Sequence, residues 1–176
     1  MKNTATNPLY AFVIFGFAFF SSCGENTNKS DIKNSDSTNN TTTETVQQNK
    51  KGFSDVVIEV TDQMKFTLSK IEVNAGDTVQ ITFINSGKMP KEAMGHNWTL
   101  LQSAVKLDEY AAEAAKYKEN QYQVKGREND VIAFTQILGP GEKEILKFPA
   151  PIKGNYKFIC TFPGHYGIMQ GDFIVK

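Results

Sequence analysis

The rhythm of apolar and polar positions changes twice along this chain. Residues 9–20, LYAFVIFGFAFF, form one uninterrupted apolar run. Residues 24–52 are mostly Asn, Thr, Ser and Lys, with Ile32 and Val46 their only clearly aliphatic members. From Phe53 onward the pattern alternates: Val56, Ile58 and Val60, then Met64, Phe66 and Leu68, then Val79, Ile81 and Phe83. A period of two marks strands with one buried face. Further short strands are expected within 131–137, 145–148, 156–160 and 173–175. Turn residues separate them at Asn74-Ala75-Gly76-Asp77, Asn85-Ser86-Gly87, Gly139-Pro140-Gly141 and Lys153-Gly154-Asn155. Many short strands with such punctuation predict one all-β domain over 53–176, a two-sheet sandwich of Greek-key type.

One segment departs from this pattern. Residues 103–118, SAVKLDEYAAEAAKYK, are rich in Ala, Glu and Lys and contain neither Gly nor Pro. Those residues favour helix, and Asp108 is placed to cap a helix that begins at Glu109. Tyr110, Ala114 and Tyr117 recur at helical spacing, which predicts a helical flap whose apolar stripe packs against the strands.

Composition narrows the function. The 176 residues suffice for one core but not for a large multidomain enzyme. Nineteen basic residues balance nineteen acidic ones, so nothing favours binding to a phosphate backbone, and no nucleic-acid partner is expected. Two cysteines exclude a disulfide framework and any zinc site of three or four thiolates.

The apolar run, preceded by Lys2, is too short to span a bilayer comfortably and reads as the core of a signal peptide over 1–22. It ends at Ser21-Ser22-Cys23-Gly24, which resembles the lipobox of a bacterial lipoprotein, where the cysteine is acylated. Lipidated Cys23 would then lead into a disordered polar linker over 23–52. The linker's mean reach is roughly 30 Å by random-coil scaling, and its composition cannot offset the entropy of ordering it. The mature protein is expected to be exported and periplasmic, anchored to a membrane. In that oxidising compartment a lone thiol, Cys160, requires protection or a purpose.

That thiol opens Cys160-Thr161-Phe162-Pro163-Gly164-His165-Tyr166-Gly167-Ile168-Met169. Pro163-Gly164 forces a turn that brings His165 back toward Cys160, and Met169 begins the next strand from the far side of the loop. The other histidine of the chain is His96, in Met94-Gly95-His96-Asn97-Trp98. Two histidines, one cysteine and a weak axial methionine make the ligand set of a blue-copper electron-transfer site. Thiolate and thioether hold Cu(I), whereas imidazole accommodates both oxidation states. Zinc competes for Cys and His, but its structural sites prefer four strong ligands. A copper chaperone or store would display open clusters of Met or His, and the five methionines here are scattered. An oxidase or nitrite reductase would need a second, catalytic copper, for which no histidines remain. The expectation is a carrier, not an enzyme.

These residues stand in segments that resemble the azurins, small blue-copper proteins of the cupredoxin class. The segments are Met89-Pro90-Lys91-Glu92-Ala93-Met94-Gly95-His96-Asn97-Trp98, Val131-Ile132-Ala133-Phe134-Thr135, Gly141-Glu142-Lys143 and the whole loop 160–169. The resemblance implies a cupredoxin-type Greek-key sandwich or barrel, one type 1 copper ion, and single-electron transfer between redox partners. His96, Cys160 and His165 would be its strong equatorial ligands, Met169 its long axial one, and the Gly95 carbonyl a distant second axial contact. Asn97 would fix the ligand loops and hydrogen-bond near the sulfur, assisted by the Phe162 backbone N–H. His165 would be the electron port, ringed by an apolar docking patch of Met89, Met94, Phe162, Pro163 and Ile168. The implied partners are cytochromes, oxidases or reductases of a respiratory chain. Trp98 would belong to the core. Azurins also carry a disulfide near their N-terminus, whereas this domain has no cysteine before Cys160.

Overall fold

The structure is a computed structural model and describes residues 47–176. The signal peptide expected over 1–22, the lipidation site Cys23 and the linker as far as residue 46 lie outside the described residues. Nine strands follow in chain order: β1 (Gln47–Lys50), β2 (Phe53–Val60), β3 (Lys70–Val73), β4 (Thr78–Asn85), β5 (Thr99–Leu101), β6 (Val131–Phe134), β7 (Lys143–Pro149), β8 (Gly154–Ile159) and β9 (Gln170–Val175). Helix α1 (Lys91–Met94) precedes β5, and α2 (Leu107–Ala114) lies between β5 and β6.

The strands form two sheets, ordered β1-β2-β4-β7 and β3-β9-β8-β5-β6. Alternation fixes which face of each strand turns inward, because a slip of one residue would expose the whole apolar set. Val56, Ile58 and Val60 of β2 lie beside Val79, Ile81 and Phe83 of β4 in a parallel ladder that registers Val56 with Ile81. All six are buried. Ile71, Val73, Phe158, Phe173 and Val175 join them in the same core. Trp98 fills its centre without solvent exposure, its ring 5.6 Å from Phe158, 6.0 Å from Phe148 and 6.3 Å from Phe173.

The flap forms a second, smaller core on the other face of the five-stranded sheet. Tyr110, Ala111 and Ala114 of α2 pack with Leu101, Val124 and Ile159, with Tyr117 at the margin. Neighbouring residues of β8 thus serve different cores, Phe158 the first and Ile159 the second. Arg127 closes the flap from outside, bonded to Glu113 at 2.9 Å and Asp130 at 2.6 Å, with its guanidinium 5.3 Å from the centre of the Tyr110 ring.

Three expectations are corrected. Residues 64–68 alternate but do not form a strand. The Met64 N–H donates to the Thr61 carbonyl in a turn, Met64 takes a positive φ of 54°, and only Phe66 pairs, through one bridge to Val60. Met64, Phe66 and Leu68 nevertheless pack on the core, so their alternation reports burial without ladder bonds. The helix is shorter than 103–118 and starts after Lys106. Asp108 therefore lies in its first turn rather than at its cap, where a negative charge still suits the helix dipole. Finally, the disordered linker expected over 23–52 is not unstructured to its end: Gln47–Lys50 pairs with β2 as an antiparallel edge strand, because β2 otherwise exposes unpaired backbone groups.

Candidate metal centre

The loop between β8 and β9 is built by its own backbone. Phe162 accepts from the His165 N–H at 3.1 Å across Pro163 and Gly164. Gly164 takes a φ of +82°, the left-handed conformation that the third position of a type II turn requires, with proline ahead of it. The His165 carbonyl then accepts from Ile168 at 3.1 Å and Met169 at 2.9 Å, folding the chain back a second time. The Cys160 N–H donates to the Met169 carbonyl at 2.9 Å and closes the loop at its neck. Cys160, His165 and Met169 are thus held at fixed places in one short loop by turn chemistry already visible in the sequence.

His96 arrives from a distant segment. Its backbone pairs in both directions with Leu138, at 3.1 and 2.7 Å, and the Asn85 side chain holds the Leu138 carbonyl at 2.9 Å. Gly95 must be glycine: a Cβ there would lie 2.5 Å from the Ile137 side chain and 2.6 Å from the Lys91 carbonyl oxygen. Asn97 ties this segment to the loop. Its carbonyl oxygen accepts from the Thr161 N–H at 2.8 Å, and its amide donates to the Thr161 hydroxyl at 2.8 Å.

The outcome is a buried triad. Ligand atoms of His96, Cys160 and His165 all lie within 4.8 Å of one another. Cys160 Sγ is 3.7 Å from His165 Nδ1, and the two imidazole rings are 4.9 Å apart. His96 and Cys160 have no exposure, and His165 retains 4%. Buried polar atoms are ordinarily partnered, yet neither ring nitrogen of His96 has a hydrogen bond. The Thr61 backbone favours the charged ring, a smaller effect than the desolvation that opposes it. Two inward-facing imidazoles and a thiol with an orphaned nitrogen are the donor set of a soft or borderline metal ion.

Electrostatics agree. Desolvation, helped by the nearby His165, lowers the His96 pKa to about 4, and desolvation also lowers that of His165. Both rings are therefore neutral near pH 7, the form that ligates metal. Burial pushes the Cys160 thiol up to about 12, while backbone N–H groups of Asn97 and Phe162 pull in the other direction. The protein alone does not stabilise the thiolate; a cation in the triad is needed to hold it.

The chain matches the family described as copper binding proteins of the plastocyanin/azurin type over residues 53–176. The chain belongs to that family. It is 35% identical to azurin of Pseudomonas fluorescens biotype A over 125 residues, covering 69% of this chain and 97% of that protein. With azurin of Pseudomonas denitrificans it shares 36% identity over the same coverage. Among solved structures, an azurin iso-2 from Methylomonas sp. strain J superposes with a TM-score of 0.62 at 33% identity, covering 69% of this chain and 97% of the other. Auracyanin from Roseiflexus castenholzii gives 0.58 at 27% identity, with 69% and 96% covered. The fold is therefore the cupredoxin sandwich expected from the sequence, with a helical insertion. The protein is an azurin-like blue-copper electron-transfer protein, and its His–Cys–His site fits one copper ion.

Of the other expected residues, Phe162 lies against His165 and Met169 is tied to Cys160 through its backbone. Met169 is fully buried in the same core cluster as Cys160. Phe162 is half-buried, its ring 4.7 Å from His165. Met89 is 42% and Ile168 56% exposed, Pro163 is exposed and Met94 half-buried. Sequence reasoning missed the supports: Asn85 and Leu138 behind His96, Thr135, whose hydroxyl accepts from the Trp98 N–H at 3.0 Å, and Thr99 and Gln123 behind Asn97. Their only signal is the placement of polar residues at positions whose neighbours are core.

Proposed function

We propose that His96, Cys160 and His165 would hold one copper ion, with the Met169 thioether and the Gly95 carbonyl as weaker donors, and that the protein carries single electrons within the bacterial cell envelope. The observation that carries this reading is the convergence of three buried donors, one with both ring nitrogens unpartnered. When bound, copper supplies a one-electron couple between Cu(II) and Cu(I). The chain's own residues do the rest. Hydrogen-bonded turns on both sides of the site keep the donors in one arrangement for both oxidation states, which limits reorganisation. The N–H groups of Asn97 and Phe162 withdraw charge from the Cys160 sulfur. The first core excludes water from the thiolate side.

His165, with the only solvent exposure in the triad, is the electron port in this reading. Met89, Met94, Phe162, Pro163 and Ile168 form the apolar surface on which a cytochrome, oxidase or reductase docks. The partner is met in the periplasm, where the leader over 1–22 delivers the chain and a lipid on Cys23 tethers it. The linker supplies the reach.

The test is a visible absorption spectrum of the purified protein titrated with Cu(II). An intense thiolate-to-copper band saturating at one ion per chain is expected. A protein that stays colourless at saturation would overturn the reading. Replacing Cys23 by Ser should move the protein from the membrane to the soluble fraction; unchanged partitioning would remove the anchor.

A further inference from the structure

Behind the Asn97–Thr161 tie lies a closed ring of buried hydrogen bonds. The Gln123 amide donates to the Thr99 hydroxyl at 3.0 Å and to the Thr161 hydroxyl at 3.4 Å. The Asn97 amide donates to the same two hydroxyls, at 3.4 and 2.8 Å. Each amide spends both protons, and each hydroxyl accepts twice. Gln123 is 5% exposed, Thr161 1%, and Asn97 and Thr99 not at all. The Gln123 carbonyl in turn accepts from the Tyr110 hydroxyl at 3.2 Å. Tyr110 is the central buried residue of α2 and the ring over which Arg127 sits. A continuous polar path therefore runs from the surface ion cluster of the flap to Thr161, the residue next to Cys160.

We infer that Gln123 is a positioning residue of the metal site, through which the helical flap sets the hydrogen bonding of the Cys160 thiolate. Asn97 has two duties at once: its side chain holds Thr161, the residue bonded to Cys160, and its backbone N–H lowers the Cys160 thiol against the desolvation that raises it. Gln123 limits the freedom of that side chain by sharing both of its acceptors. Without Gln123, Asn97 keeps its bonds to Thr161 but the two hydroxyls lose their second shared donor, and the Asn97 segment beside the sulfur loosens. A donor on a thiolate withdraws charge from sulfur and so weakens the donation that favours Cu(II). Loosening that donor lowers the reduction potential. Buried networks of this kind are rigid when every member is satisfied and lose their geometry when one is removed. The inference rests on the copper-carrier reading, and the experiment separates the two.

The test compares wild type, Gln123→Met, Thr99→Val and Thr99→Ser, each loaded with Cu(II). Gln123→Met keeps the length and loses the amide; Thr99→Val keeps the shape and loses the hydroxyl; Thr99→Ser restores the hydroxyl. All four are expected to stay blue. The first two substitutions should lower the reduction potential and shift the thiolate-to-copper band, and Thr99→Ser should return both toward wild type. In the metal-free proteins the Thr161 amide should exchange its hydrogen faster in Gln123→Met and Thr99→Val than in wild type. Variants that melt earlier but keep the wild-type potential and band would make the ring merely structural and overturn the inference, as would variants that lose copper altogether. A colourless wild type would instead defeat the copper reading itself.

Discussion

At the scale of single residues the chemistry of the site is concentrated in scarce side chains. Cys160 is the free cysteine among the described residues, and its burial leaves the thiol protonated unless a cation holds it. Cys160→Ala should abolish the intense colour, because the absorbing bond is the one between thiolate and copper; an absorption spectrum that stays blue would refute the assignment. Met169→Leu should keep the colour and raise the reduction potential, since a weaker axial donor favours Cu(I). Voltammetry showing a lowered potential would count against the axial role. The ligands were legible in the sequence because few residue types can do this work and the chain holds few of them. The supports were not. Thr99, Thr135, Asn85 and Gln123 are common residues whose meaning comes from partners 24 to 53 positions away, as in Gln123 with Thr99 or Asn85 with Leu138.

At the scale of elements, alternation predicted β2 and β4 because each buries one face against the same core. It failed at 64–68 because periodicity records which side chains are buried and is blind to whether the backbone finds a ladder partner. β3 and β5 escaped notice for the opposite reason: four and three residues are too few to show a period. The domain also lacks the N-terminal disulfide that its resemblance to azurins implies. A polar pair ties the start of β2 to the turn before β4. The Ser54 hydroxyl, at the start of β2, donates to the buried Asp77 carboxylate at 2.7 Å, and Asn74 donates from backbone and side chain at 3.4 Å. The Asp77 carbonyl accepts from the Ala150 N–H beyond β7. The Ser54 bond, then the Asn74 and Gly52 groups, lower the Asp77 pKa against an opposing desolvation. A carboxylate with a depressed folded-state pKa contributes stability above its unfolded value, about 3.9, and loses it as pH falls through the lower folded value. Asp77→Asn should therefore be less stable than wild type at neutral pH, with the gap closing below about pH 4. Thermal melts at pH 7 and pH 3 check this; a gap that stays constant would show that the charge is irrelevant.

At the scale of the whole molecule, charge and apolar surface together determine how partners meet. Fourteen basic and fifteen acidic side chains follow Gly52, so the domain carries almost no net charge with which to steer an approach. Ion pairs such as Lys91 with Glu142 and Lys157 with Asp172 are exposed and contribute little each. In the proposed docking mode, encounter depends on an apolar surface near His165, to which Ile168 contributes a large hydrophobic side chain that is 56% exposed. On that proposal two copies of the protein exchange an electron through the same face, so the rate of self-exchange between oxidised and reduced forms reads docking directly. It should change little with ionic strength, because neither Coulomb attraction nor repulsion is there to be screened. Ile168→Lys places a like charge on both faces of that encounter without touching a ligand. The variant should keep its colour, exchange more slowly at low salt, and recover as salt rises and screens the repulsion within a Debye length of about 10 Å at 0.1 M. NMR line broadening of mixed oxidation states measures both proteins. A steep salt dependence in the wild type, or an unaffected rate in Ile168→Lys, would move the docking face away from His165.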